Sequence, residues 1–365
     1  MNSLAALLLL SAPSLVGTAP PQEPDDRFAA LRTMLRAEAE ELRFAGVVAV
    51  ARGGELVFEE AFGPANVELD VPHTTRSRFK LHSLSKPFVG AALLRAVDDE
   101  ALELDAPVGA YLPAWPLAWS DVTVRHLANH TSGLPDFAGS FLSGWSGSAS
   151  ATWEQLAPTL DAQTPAPAPG TGWAYSNAGY VLLAAVLENV REQPFATVLA
   201  RDLCAPAGLE ATELECTPPW DAIAYDGPRV LESLVSGYNG SPADLQVAHS
   251  KMYAIPGAGG IVSDARDLTR FAHRLFAGDL LSDEARAELF AVPPGQSVRY
   301  GIGWVLRERD GQPLCVHDGG NNGFVTSLEH DLGRDLSIAI LSNLGYVSMG
   351  ELRDRVAELV LAALD

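Results

Sequence analysis

The amino-acid sequence predicts an α+β fold in which one antiparallel sheet is built from both ends of the chain. Strand-like segments occur at 46–52 and 55–62, and again at 314–317, 324–330 and 336–341. Between these two groups, helical patterns and long loops with Pro-rich breaks dominate. Because a sheet must cover its apolar faces, we expect flanking helices and an inserted, mainly helical part, with a cleft between the two.

The individual elements follow from the spacing of apolar residues. Gly53 and Gly54 separate the first two strand-like segments and predict a hairpin. Helical spacing is found at 27–43, at 181–190 and at 349–364. These helices have the apolar faces that the predicted sheet needs for its cover.

Composition limits the possible partners. The 365 residues are 47% hydrophobic and 19% charged, which is typical of a globular protein with a large core. The net charge is −21, and no run of basic residues occurs in the chain. Because phosphate binding needs clustered Lys and Arg, we expect no nucleic-acid partner and no anionic membrane partner. The expected partner is a small-molecule or peptide substrate, with no cofactor, and the chain is expected to be a monomer.

Residues 1–19 predict a signal peptide. Their side chains are uncharged, with an apolar run at 4–10 and small residues at 17–19 for cleavage, and the run is too short to span a membrane. Two features are unusual for a signal peptide: no basic residue precedes the run, and Pro20 would begin the mature chain. We expect a secreted or periplasmic protein, without stable membrane insertion after signal removal.

The remaining residues, 20–365, are expected to form a single domain. Its α/β part would comprise about 27–97 and 251–365, and its helical part about 98–250. This division follows from the position of the strand-like segments at the two ends.

Three cysteines are present. Cys204 and Cys216 are close enough in sequence to pair in an oxidising compartment, or they are two unpaired small residues. Cys315 lies in a strand-like segment, where we expect a buried thiol rather than a nucleophile.

Ser83 and Lys86 are three residues apart at the start of an apolar stretch, so we expect them to share one face of a helix's first turn. A serine needs an adjacent base to act as a nucleophile, and a desolvated lysine can serve. Pro87 fits there because the first N–H groups of a helix have no partner within it. The following residues are apolar on most sides, which is typical of a central helix.

A second motif, Tyr175-Ser176-Asn177, precedes the predicted helix at 181–190. The Tyr175 phenol could shuttle protons if a nearby ammonium lowered its pKa, and the Asn177 amide could hold a substrate carbonyl. An Asn helix cap beside a packed tyrosine is the alternative explanation.

A third motif, His317-Asp318-Gly319-Gly320, follows a predicted strand. Glycines at this point let a substrate backbone or an acyl group approach closely. The N–H near Gly320 could be an oxyanion donor beside that of Ser83. Histidine is mostly uncharged at neutral pH, and Asp318 would discourage a substrate carboxylate if its side chain faced the cleft. A polar hairpin turn is the alternative.

Taken in this order, the three motifs resemble those of the serine β-lactamase-like superfamily, also called the penicillin-binding-protein-like hydrolases. The first motif is the intact Ser-x-x-Lys, the second has Tyr-Ser-Asn in place of Ser-Asp-Asn, and the third has His-Asp-Gly in place of Lys-Thr-Gly. The tyrosine form is similar to class C β-lactamases, D-alanyl-D-alanine carboxypeptidases and family VIII esterases. Further similar stretches lie at 126–136, 257–268, 300–304 and 338–343.

The resemblance implies a β-lactamase/transpeptidase-like fold and a serine hydrolase that works through an acyl-enzyme. It leaves open whether Lys86 or Tyr175 is the base in acylation, and it gives Tyr175 the activation of water in deacylation. The substrate could be an ester, a D-amino-acid peptide or a β-lactam. The alternative is a non-catalytic module that binds cell-wall peptides or β-lactams. The candidate site residues are, for catalysis, Ser83, Lys86 and Tyr175, and, for the substrate or its oxyanion, Asn177, His317, Gly319 and Gly320.

His126 and His130 have the i, i+4 spacing of zinc-binding histidines on a helix. No glutamate lies beside His126, as a His-Glu-x-x-His site needs, and no third ligand is evident. We therefore expect no metal site.

Overall fold

Six strands from the two ends of the chain form one antiparallel sheet. The computed structural model describes residues 26–136, 138–144, 152–160, 165–215, 233–249 and 252–365. The strands, in chain order, are β1 (Gly46–Arg52), β2 (Glu55–Phe62), β3 (Pro64–Asn66), β4 (Val71–Pro72), β5 (Phe79–Lys80), β6 (Glu213–Leu214), β7 (Tyr238–Ser241), β8 (Asp244–Val247), β9 (Ile261–Ser263), β10 (Val305–Arg309), β11 (Gln312–Asn321), β12 (Phe324–Asp331) and β13 (Leu336–Ser342). In the six-stranded sheet the order is β10-β11-β12-β13-β1-β2. The predicted α+β fold, with one antiparallel sheet built from both ends of the chain, is confirmed.

Helices cover both faces of this sheet. They are α1 (Ala29–Glu40), α2 (Lys86–Asp98), α3 (Val124–Ala128), α4 (Ala138–Gly144), α5 (Trp153–Leu156), α6 (Asn177–Arg191), α7 (Phe195–Val198), α8 (Ala205–Ala207), α9 (Ala265–Phe276), α10 (Asp283–Glu288) and α11 (Met349–Leu364). Short 3-10 turns and a π-helical segment, Leu199–Cys204, connect some of them. Within the described ranges, no helix is long and apolar enough to cross a membrane.

The alternation of side chains in β1 divides the core into two layers. Val48 and Val50 pack with apolar residues of α1 and α11 on one face. Val47 and Ala49 pack on the other face with α2, α6 and α9. Because β1 pairs with β13, with Val48 opposite Ile340, the two ends of the chain share both layers.

Several boundaries differ from the sequence-based expectation. The first helix is shorter, and α6 begins at Asn177 because Ser176 caps it by accepting a hydrogen bond from the N–H of Gly179 at 3.1 Å. The part expected to be helical also contains a hairpin, β7–β8. The signal peptide at 1–19 and the cysteine Cys216 lie outside the described residues, so both expectations stay predictions.

The helix predicted to begin at Ser83 begins three residues later. Residues His82–Ser85 form a 3-10 turn, and α2 follows from Lys86. His82 has φ +50°, a left-handed conformation that is strained for a residue with a side chain. As expected, α2 is buried along most of its length and carries Pro87 in its first turn.

Strand β11 lies directly against this 3-10 turn. A Cβ atom at Gly319 would overlap the carbonyl oxygen of Leu81 and would lie 3.0 Å from the N–H of Leu84. Thr326, on the neighbouring strand, donates a hydrogen bond from its hydroxyl to the same Leu81 carbonyl at 3.0 Å. The turn that contains Ser83 is therefore held to the sheet by a contact that only glycine permits.

A matched pair of substitutions tests this contact. Gly319→Ala should destabilise the protein by about 1–3 kcal/mol, because the added methyl group must displace backbone. Gly320→Ala should leave stability nearly unchanged, because apart from the adjoining residues no atom of the described part of the chain lies within 4 Å of a Cβ at that position. Thermal or denaturant unfolding of the two variants measures the difference. Equal stability of the two variants would contradict the close approach of β11 to the turn.

Candidate active site

Lys86 is fully buried beside Ser83 at the start of α2. Its Nζ lies 3.2 Å from Ser83 Oγ, 2.9 Å from Asn177 Oδ1 and 3.1 Å from the carbonyl oxygen of Ala258. Ser85, which is also near the lysine in sequence, points elsewhere: its hydroxyl is buried and accepts a hydrogen bond from the N–H of Ile261. Ser83 is thus the serine that meets the amine.

The three contacts of Lys86 fix how its amine is oriented. A carbonyl oxygen can only accept hydrogen bonds, so Asn177 Oδ1 and the Ala258 carbonyl each take one N–H of the amine. A neutral amine has two N–H bonds and one free electron pair. Once both bonds are engaged, the electron pair is directed at the remaining neighbour, the hydroxyl of Ser83. This is the geometry that a base needs.

The surroundings of Lys86 also favour its neutral form. Burial lowers the pKa of Lys86 from 10.5 to about 7, and the negative charge of Asp136 partly opposes this effect. The ammonium would be stabilised by three acceptors and by the faces of two aromatic rings, with Nζ 4.8 Å from the ring centre of Tyr175 and 5.6 Å from that of Tyr180. The loss of solvent outweighs these favourable contacts, since the pKa remains about 7. Near pH 7, a large fraction of Lys86 is therefore unprotonated and able to accept a proton.

Tyr175 borders the same site, with 37% of its surface exposed. Its phenol group hydrogen-bonds with the Ser83 hydroxyl, yet burial of the phenol raises the pKa of Tyr175 to about 12. The condition that a nearby ammonium lowers this pKa is not met, because the loss of solvent at the phenol outweighs other effects. At neutral pH the phenol keeps its proton, so Tyr175 can donate a proton but is a poor base.

Both ends of the Asn177 amide are engaged. Oδ1 accepts from Lys86, and Nδ2 donates to the carboxylate of Asp136 at 2.9 Å. The helix cap is Ser176 rather than Asn177. Asn177 therefore orients the lysine amine, a role that the sequence did not suggest.

His317 is buried on β11 with both ring nitrogens occupied. Nδ1 donates to the carbonyl of Asp318 at 2.8 Å, so in the neutral ring Nε2 accepts from the Tyr300 hydroxyl at 3.0 Å. Burial lowers the pKa of His317 to about 4. The ring is thus neutral at pH 7, as expected, but no free nitrogen remains to meet a substrate.

Asp318 faces the opposite side of the sheet. Its carboxylate accepts two hydrogen bonds from Arg353, at 2.7 and 2.8 Å, and one from the hydroxyl of Ser327 at 2.6 Å. The condition that this side chain faces the cleft is therefore not met, because adjacent residues in a strand alternate between faces. Of the two glycines that follow, Gly319 contacts the 3-10 turn and Gly320 borders open space.

Sequence reasoning assigned no role to Asp136, Ala258 or Tyr300, and it considered His130 only as a zinc ligand. All four contact the site. Each lies in a stretch that resembles the family, and for the first three residues that resemblance was the only signal. Gly257, with φ +93°, packs on the backbone of Tyr180 and so brings the next carbonyl to Lys86.

The two histidines considered for zinc lie apart in the fold. Helix α3 ends at Ala128, so the pair does not share a helix face. His126 Nδ1 accepts from the N–H of Thr123, and the ring of His130 packs 4.5 Å from the rings of Tyr175 and Tyr300. In the described parts of the chain, no group of three or more His, Cys, Asp or Glu residues could hold a metal ion.

Comparison with known proteins gives consistent matches. Residues 31–362 match the family model described as Beta-lactamase. Penicillin-binding protein 4* of Bacillus subtilis (strain 168) is 30% identical over 338 residues, which cover 86% of this chain and 71% of that protein. Esterase EstB of Burkholderia gladioli is 32% identical over 351 residues, 85% of this chain and 88% of that protein. The solved structure of D-amino acid amidase from Ochrobactrum anthropi SV3 has a TM-score of 0.76, with 24% identity, over 92% of this chain and all of that chain (100%).

The burial of Lys86 should appear in the pH dependence of stability. The pKa of Lys86 is about 10.5 in an ordinary environment and about 7 in the folded protein, so the unfolded chain binds more protons between these pH values. Stability from this group therefore rises with pH across that window. Compared with Lys86→Met, the wild-type protein should gain roughly 2–3 kcal/mol between about pH 6 and pH 9. Urea unfolding of both proteins measures the change, and a pH-independent difference would contradict a buried neutral amine.

Proposed function

The chain belongs to the beta-lactamase family, and on this premise we propose that it is a secreted serine hydrolase that forms an acyl-enzyme at Ser83. Its substrates would be uncharged esters, or amides that lack a critical carboxylate. The observation that carries the proposal is the buried Lys86 amine, whose free electron pair is directed at the Ser83 hydroxyl 3.2 Å away. An activated serine at the start of a helix is the arrangement that acyl transfer needs.

Acylation begins with attack by Ser83 Oγ on the substrate carbonyl carbon, while its proton passes to Lys86 Nζ. The negative oxygen that forms is held by the N–H groups of Ser83 and Gly320. As the bond to the leaving group breaks, the Tyr175 phenol gives its proton to the leaving atom and regains one from the Lys86 ammonium. The products of this step are the acyl-enzyme, the protonated leaving group and a neutral Lys86.

Deacylation repeats the sequence with water. A water molecule attacks the acyl carbon, and its proton passes to the neutral Lys86 and then to Ser83 Oγ as the acyl group leaves. Sequence reasoning gave the activation of water to Tyr175. A phenol with a pKa of about 12 is protonated at neutral pH, so we assign both base roles to Lys86 and keep Tyr175 as the proton carrier.

The third motif supports the preference for uncharged substrates. A carboxylate would need a cation near it, and His317 is neutral with both ring nitrogens engaged. The guanidinium of Arg353, on the helix that packs against this part of the sheet, is bound to Asp318 on the other side of the sheet. The similarity to Esterase EstB is in keeping with an ester substrate. The uncharged residues 1–19 support secretion, and we propose a monomer with no further partner than the substrate.

The nucleophile can be tested by covalent labelling. Ser83→Ala should abolish turnover and labelling by a fluorophosphonate, because among the described residues no other serine or threonine hydroxyl hydrogen-bonds with the Lys86 amine. Ser85→Ala is the matched control and should retain labelling, since Ser85 hydrogen-bonds to the backbone of Ile261 instead. Mass spectrometry of a trapped acyl group on Ser83 would complete the test. Folded wild-type protein that binds esters or β-lactams without forming this adduct would favour the non-catalytic alternative.

Substrate charge gives a second test. The kcat/KM of a p-nitrophenyl ester should exceed that of a matched ester bearing a carboxylate, and a cephalosporin should be a poor substrate. Because the pKa of His317 is about 4, the ratio of the two kcat/KM values should stay constant from about pH 8 to pH 5. Both reactions need a neutral Lys86, so its own titration cancels in the ratio. A ratio that changes near pH 6.5 would show that His317 titrates in contact with substrate.

A further inference from the structure

Asp136 lies at the edge of the site, away from the reacting atoms. It is exposed, and its carboxylate accepts two hydrogen bonds at the start of α6, from Asn177 Nδ2 at 2.9 Å and from the N–H of Ala178 at 3.2 Å. A carboxylate can only accept, so it selects the NH2 end of the amide. The carbonyl end of Asn177 must then face Lys86, whose Nζ is 2.9 Å away.

The orientation of this amide decides where the free electron pair of Lys86 is directed. With the carbonyl end towards the amine, Asn177 takes an N–H bond and leaves the electron pair for Ser83. With the amide turned over, its NH2 group would donate to the electron pair and compete with the Ser83 hydroxyl. The electron pair of the neutral amine would then be engaged by Asn177 and could not accept the proton of Ser83.

We propose that Asp136 is a positioning residue, which fixes the orientation of the Asn177 amide and so keeps the electron pair of Lys86 directed at Ser83. The inference rests on the proposed function, because it requires Lys86 to act as a base. Asp136 touches no reacting atom and works through Asn177. The Lys86 amine is thus oriented in two independent ways, by the Ala258 carbonyl directly and by Asp136 through Asn177.

The charge of Asp136 adds a second effect on the same amine. Besides Asp136, the titratable groups of the described residues that act on Lys86 are Tyr175, Tyr180, His82, His130 and His317. Burial raises the pKa of both tyrosines and lowers the pKa of all three histidines, so these groups are uncharged at pH 7. Asp136 supplies the negative charge that favours the protonated amine. Removing the charge of Asp136 therefore favours the unprotonated form of Lys86. Releasing the Asn177 amide from Asp136 has the same effect, because the turned amide donates to the electron pair of the neutral amine.

The test uses Asp136→Asn and a neutral p-nitrophenyl ester. We expect kcat/KM to fall about tenfold, since one charge-assisted hydrogen bond is lost, and the apparent pKa of its pH profile to fall by about half a unit. Asp70→Asn is the matched control. It removes one charge from an exposed left-handed turn, φ +49°, where Asn fits, and should change neither quantity.

The route through Asn177 is tested in a double-mutant cycle. In an Asn177→Ala background, Asp136→Asn should cause no further loss of kcat/KM, because no amide remains to be oriented. The same tenfold loss in both backgrounds would overturn the positioning role. If Asp136→Asn does not fold, Asp136→Ala takes its place in both backgrounds; a loss of kcat/KM that is equal with and without Asn177 would again overturn the proposal.

Failure of this inference differs from failure of the proposed function. Wild-type protein that is labelled at Ser83, with an Asp136→Asn variant of unchanged kcat/KM and pH profile, would overturn the role of Asp136 alone. Folded wild-type protein that is not labelled at Ser83 would overturn the proposed function.

Discussion

The site depends on one constraint, which is that the amine of Lys86 is buried away from solvent. Burying a charged amine costs several kcal/mol, so Lys86 loses much of its affinity for the proton. A buried neutral amine still needs partners for its N–H bonds, and the fold supplies them from two distant segments, Asn177 at the start of α6 and Ala258 before β9. The same contacts that make burial tolerable also orient the amine.

The sheet contributes rigidity and separation of charges. Gly319 allows β11 to lie against the turn that carries Ser83, so the nucleophile and the third motif belong to one rigid unit. Along β11, His317 faces the helical side and Asp318 faces α11, where Arg353 neutralises it. The only ionised side chain of that motif is thereby kept away from the site.

The sequence was most informative where short-range chemistry decides the structure. The hairpin β1–β2, helix α11 and the meeting of Ser83 with Lys86 all follow from local spacing and were predicted. The roles of Asn177 and Asp136 were not, because they depend on which end of an amide faces which neighbour, and spacing carries no such information. The direction in which the pKa of Tyr175 shifts could not be predicted either, since the degree of burial of a phenol is a property of the packed fold. The 3-10 turn at His82–Ser85 was also missed, because a left-handed histidine is rarely favoured locally.

The sheet joins residues from both ends of the chain, and this has a consequence for biosynthesis. During translation, Ser83 leaves the ribosome long before β11 has been synthesised. Strand β11 is the strand that holds the turn containing Ser83. The chain between this turn and β11 must form a long loop before the two segments can make their native contacts. Closing such a loop is slow, as in other folds that are rich in contacts between distant residues. A growing chain therefore carries its serine and lysine without the geometry that makes them reactive. Hydrolytic activity therefore requires that β11 has joined the sheet, so a chain that is still being synthesised is inactive in the compartment in which it is made.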